Sequence, residues 1–148
     1  MNSLKWASVA VVLAVGSVGP GVAHHAANSQ FDTTRTLPFT GTLEKYFMGQ
    51  PHGYWYLART VNGEVQHWIF ETGAPDVLRR SGLSMHQDLK IGQVYKLAYC
   101  PALDGTNAGL ITGVRLPDGR IIGLYAKDTA DAAAKALTEK LLGTPDTQ

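Results

Sequence analysis

YWYLARTVNGEVQHWIFETGAPDVLRRSG, residues 54–82, decides the fold. Tyr54 to Val61 is rich in aromatic and β-branched residues and reads as a strand. Asn62-Gly63 then marks a two-residue hairpin, because both turn positions require positive φ. Glu64 to Thr72 returns as a second strand of the hairpin. Gly73-Ala74-Pro75-Asp76 changes the pattern and leads into Val77 to Arg80, with Gly82 beyond. Proline at the start and glycine past the end fit a short helix.

Upstream, Leu37 to Phe47 alternates with period two. Leu37, Phe39, Gly41, Leu43 and Phe47 are expected on one face, and Gly41 predicts a bend or bulge. Met48 to Gly53 reads as a loop, which would carry His52. Downstream, Gln93 to Ala98, continuing through Cys100, is a fourth strand. Ala108 to Leu116 is a fifth and Arg120 to Tyr125 a short sixth, with turns at Asp104-Gly105 and Asp118-Gly119. Asp128 to Leu142 is Ala-rich. Ala132 and Ala136, and Ala133, Leu137 and Leu141, recur at helical spacing, and Gly143 supplies a stop. The chain is therefore mainly β, with the order β-β-β-α-β-β and a C-terminal helix. Another small barrel or a sandwich would accommodate such strands. A lone helix between strands three and four favours the OB-like barrel.

The 148 residues are 45% hydrophobic and 17% charged, ordinary values for a globular chain. The net charge is +1 with no basic run, so the stripe that neutralises phosphates is missing and nucleic acid is not an expected partner. Cys100 is the one cysteine and lies in the apolar run Val94 to Pro101, so it is expected to be buried.

The first segment reads as an address. Lys5 precedes the uncharged apolar run Trp6 to Val18, Pro20 and Gly21 break it, and Gly21-Val22-Ala23 offers small residues to a signal peptidase. The run falls short of the ~20 residues that a span needs. An uncleaved anchor is the competing reading, and a cut after Ala26 or Ala27 would put His at the −3 position. The predicted organisation is a signal peptide over 1–23, an extended segment over 24–36, the barrel over 37–126, and a helix and tail over 127–148. The expected location is periplasmic or secreted, with no stable membrane span after cleavage.

An ordered set of motifs adds to this. His24-His25 stands at the expected mature start, followed by Phe31-Asp32. Gly41 precedes Gln50-Pro51-His52. Trp68 and Glu71 lie ahead of Pro75, Leu78 and Gly82, and Asp118-Gly119-Arg120 comes late. In these features the chain resembles a family of small exported bacterial proteins known as a domain of unknown function. The resemblance runs to about Tyr125. Gln50 stands where that family has Asn, and the Ala-rich tail is additional. The resemblance implies export and the fold, and no activity.

Cleavage after Ala23 would give His24 a free α-amine. That amine and the His24 imidazole could chelate one ion, and His25 or His52 could add a second imidazole. Such a nitrogen-rich tetragonal set suits copper(II). Glu71 could be a ligand or an acceptor for an imidazole N–H. His67 and His86 are lesser candidates without spaced partners. The bland alternative is a soluble His-His start and a His52 that serves only its own loop.

The aromatics Tyr46, Phe47, Tyr54, Trp55, Tyr56, Trp68 and Phe70 could form a stacking platform or fill the core; alternation turns Tyr54 and Tyr56 away from Trp55. No nucleophile elbow, phosphate loop or His-Glu-X-X-His motif occurs, so catalysis has no signature. Two functions stay open: a copper-binding module, or an envelope interaction domain that holds a protein or small ligand without metal.

Overall fold

The computed structural model describes residues 29–124 and 132–143. The predicted signal peptide, His24 and His25 lie outside the described residues, as do 125–131 and 144–148. Strands β1 (Leu37–Met48), β2 (His52–Val61) and β3 (Glu64–Gly73) form an antiparallel meander. Asn62 and Gly63 join β2 to β3 with φ of 53° and 84°. Glycine takes that left-handed conformation without steric cost, which is why the dipeptide makes the hairpin. Helices α1 (Pro75–Arg80) and α2 (Met85–Asp88) follow, then β4 (Val94–Pro101), β5 (Ala108–Arg115), β6 (Ile121–Gly123) and helix α3 (Ala132–Gly143).

The sheet order is β3-β2-β1-β4-β5-β6, and Ile69–Glu71 of β3 also pair in parallel with Ala108–Leu110 of β5. This pairing closes a five-stranded barrel with the predicted OB-like connectivity. Strand β1 serves both halves. Leu37 to Thr42 pair with β4, and Thr42 to Met48 pair with β2.

The interior is filled by Phe39, Leu43, Trp55, Leu57, Phe70, Tyr95 and Leu97, with Leu78 of α1 closing one end. Burying each such side chain is worth about 1.5–3 kcal/mol. Phe39, Trp68, Phe70 and Tyr99 make an aromatic cluster, with the Phe39 and Phe70 centroids 4.8 Å apart. The Arg59 guanidinium covers this cluster, 4.9 Å from the Phe39 ring and 4.8 Å from Trp68. Cys100 is buried, and burial pushes its thiol above the ordinary range.

Several expectations need correction. The bulge in β1 falls at Glu44, not at Gly41. Leu43 pairs with Leu57 and Lys45 with Tyr56, so Glu44 is the extra residue. One inserted residue inverts the alternation beyond it. Lys45 and Phe47 therefore turn outward, and Phe47 is 57% exposed instead of sharing the core face with Leu43.

The described part of the N-terminal segment is tied down. Phe31 bridges Ala102, the Asp32 N–H donates to the Pro101 carbonyl at 2.8 Å, and the Leu103 N–H donates to the Gln30 carbonyl at 2.9 Å. β6 stops at Gly123, short of the predicted Tyr125.

Helix α3 seats on Thr138 and Leu142, while Leu137 of the predicted stripe is exposed. The cause lies in β5. Gly113 has no side chain, and a Cβ there would lie 2.5 Å from Thr138 Cγ2. The helix enters that gap, and Leu142 offers its carbonyl to Arg115 at 3.2 Å.

Helix α2, which carries His86, is not among the predicted elements. Four residues are too few to hold a helix by propensity. Tertiary bonds hold it instead. Asp88 accepts the Ser84 N–H at 2.7 Å and pairs with the Arg120 guanidinium. The Tyr95 hydroxyl donates to the Asp88 carbonyl at 2.7 Å and accepts the Lys90 N–H at 2.8 Å. Among the described residues, no helix is long and apolar enough to cross a membrane.

Candidate functional site

The outer face of β1–β2–β3 is built from alternate residues of three strands. Across it Phe47 pairs with Tyr54 and Tyr54 with Glu71; Lys45 pairs with Tyr56 and Tyr56 with Ile69. Trp55, Leu57 and Phe70 point the other way and fill the core. Thus the aromatic set divides: Trp55, Trp68 and Phe70 pack inside, and Phe47, Tyr54 and Tyr56 stand on the outer face. The Lys45 ammonium lies 4.2 Å over the Tyr56 ring.

His52 is not a loop residue. It opens β2, paired with Gly73, after the cis Gln50–Pro51 peptide. It therefore shares the outer face with Tyr54 and Glu71. Its Nδ1 lies 3.0 Å from Glu71 Oε1, and the Glu71 side chain is only 14% exposed. An ionised carboxylate can only accept, so Nδ1 is the donor of this contact and Nε2 is the nitrogen it leaves over. A second pair stands farther along the face, with His67 Nδ1 2.9 Å from Glu44 Oε2. His86 lies on α2 beside a separate surface hollow.

Of the predicted metal residues, the structure brings His52 and Glu71 together, whereas His24 and His25 lie outside the described residues. Among the described residues no group of three or more His, Cys, Asp or Glu side chains could hold a metal ion.

A cleft of about 450 Å³ opens beside this pair, between the β2–β3 face and the β4–β5 loop. Tyr54, Ile69 and Glu71 form one wall, Leu103 and Asp104 the other, and Ser29 stands at its N-terminal side. The Tyr54 phenol is held above its ordinary range, first by burial and then by the negative charge of Glu71. Asp104 Oδ1 accepts both the N–H and the hydroxyl of Thr106, at 3.0 and 2.7 Å. These bonds hold its carboxyl below the usual range.

The sequence reading missed the loop wall and set Phe47 on one face with Leu37, Phe39 and Leu43. One signal was present: strict alternation would have placed the charged Lys45 inside. The connectivity was a second, since OB folds bind ligands on the strand 2–3 face and its flanking loops.

Among solved structures, the domain is similar to the mitochondrial single-stranded DNA binding protein Rim1 from S. cerevisiae. The identity is 7%, the match covers 56% of this chain and 93% of that chain, and the TM-score is 0.45. No curated protein matches the chain. The family model described as "Family of unknown function (DUF6152)" matches residues 11–112, more than half of the sequence, and the chain belongs to that family.

Proposed function

We propose that this is an exported metal-binding module that holds copper with His52 on the barrel and His24 and His25 on the N-terminal segment. Glu71 orients the His52 ring. The role is carriage or delivery of the ion, without turnover. The observation that carries the reading is the 3.0 Å contact between His52 Nδ1 and Glu71 Oε1. Carboxylate–imidazole pairs of this kind fix the tautomer and leave the opposite nitrogen for a metal.

The reach of the chain is compatible with it. Ser29 lines the same cleft as Glu71, and the five residues back to His24 extend at most about 17 Å. An α-amine with two or three imidazoles suits copper(II) above other ions.

The test is a copper(II) titration, read by EPR, of protein processed to begin at His24, beside a copy carrying one extra N-terminal Ala. A tight one-to-one complex with a nitrogen-rich signal is expected, lost in the extended copy and in His52→Ala. Glu71→Gln should weaken it by about 10–100-fold. Weak binding that is equal in all four proteins overturns the reading.

The exposed Phe47 beside Tyr54 and Tyr56 favours a second reading, an envelope interaction domain that captures a ligand on this face without metal.

A further inference from the structure

The cleft beside Glu71 has a composition that selects among ligands. Its apolar wall is broad: Tyr54 and Ile69 on the barrel side, Ala102 and Leu103 on the loop side. Ile69 is 45% exposed and Leu103 58% exposed, so both offer open apolar surface. The charged residues lining the cleft are Glu71 and Asp104, and both are carboxylates.

Each carboxylate is fixed through one oxygen, Glu71 Oε1 by His52 and Asp104 Oδ1 by Thr106. Those bonds leave over Glu71 Oε2 and Asp104 Oδ2. The loop wall is itself braced, through the bonds from Leu103 to Gln30 and from Asp32 to Pro101. The cavity is therefore preformed, and its volume falls within the range of about 300–1,000 Å³ typical of small-molecule sites.

Three ligand classes fit poorly. An anion would meet two negative charges with no lysine or arginine in the walls. A bare metal ion would find two carboxylates and a largely apolar surface, and no set of three donors forms among the described residues. A neutral apolar molecule would strip water from both carboxylates without replacing their hydrogen bonds, which is costly. An ammonium group can offer either carboxylate a charge-assisted bond. An apolar body attached to it covers Tyr54, Ile69 and Leu103.

We infer that the cleft is a binding site for a small organic cation with an apolar body, an alkyl or aryl amine. Its ammonium lies against Glu71 and Asp104 and its body against Tyr54, Ile69 and Leu103. The inference does not rest on the copper reading, since His52 is not among the cleft walls and no metal takes part.

The test uses the full chain in EDTA, titrated with phenethylamine and followed by amide chemical shifts. Phenylpropionate and phenylpropanol serve as anionic and neutral counterparts of similar shape. Saturable shifts are expected at Tyr54, Ile69, Leu103 and Thr106 with the amine. The two counterparts should bind at least about tenfold more weakly. Asp104→Asn should weaken the amine by about five- to tenfold, with the rest of the spectrum unchanged. Equal affinity for all three compounds, shifts away from the cleft, or no saturation at about 10 mM amine overturns the inference. With metal chelated throughout, such a failure leaves the copper titration as an independent result.

Discussion

The barrel finishes its two flanks in opposite ways. On the β4–β5 flank the outer surface is roofed. Helix α3 lays Thr138 and Leu142 into the gap at Gly113, and the N-terminal segment lies along the loop after β4. As a result β4 is buried on both faces from Tyr95 to Cys100. On the β1–β3 flank the outer surface is left open apart from the β4–β5 loop beside the cleft. Phe47, Val65 and Ile69 stand exposed, interleaved with two His–Glu pairs. The same fold thus spends apolar side chains on cohesion at one flank and displays them at the other.

The sharpest way to break this contrast is Leu142→Ala. The side chain is fully buried at the roofed flank, and its loss should cost about 2–4 kcal/mol by urea denaturation. A cost under about 1 kcal/mol would mean that the roof contributes little cohesion.

Tyr95→Phe should come next, at about 1–3 kcal/mol, because it leaves the Asp88 carbonyl and the Lys90 N–H without their partner. It also has a pH signature. Burial holds the Tyr95 phenol above its ordinary value of 10.0. The unfolded chain loses that proton at lower pH than the folded one does. This contribution is therefore whole below the unfolded value and is lost as pH rises from there through the folded value. The variant should show a shallower alkaline decline than the parent, and an identical decline would remove Tyr95 as its source.

The smallest effect is expected at the open flank. Phe47→Ala should change stability by no more than about 0.5 kcal/mol. A loss comparable to that of Leu142→Ala would show that Phe47 is covered in the folded protein.

Much of this was legible in advance. Asn62-Gly63, the alternation of Tyr54, Trp55 and Tyr56, and Pro75 with Gly82 all act through local backbone geometry, so the meander and α1 could be read residue by residue. What escaped the reading depends on contacts distant in sequence. Helix α2 exists because Asp88 meets Arg120, thirty-two residues away, and neither residue announces the other. The seating of α3 follows from a missing side chain on β5, not from its own stripe. The meeting of His52 and Glu71 required the β2–β3 register, which the hairpin turn does fix. The loop wall of the cleft required barrel closure through β3 and β5.

The extra residue at Glu44 has a wider meaning. A strand is read two letters at a time, and β1 carries a frameshift in the middle of its message. Before the shift, Phe39 and Leu43 spell interior; after it, Phe47, at the same parity, spells surface. A single extra residue is thus absorbed where it stands, and Tyr46 and Phe47 keep their places opposite Trp55 and Tyr54. Its deletion would leave Lys45 opposite Tyr56 and Phe47 opposite Tyr54, in an unbroken ladder with the same outward face.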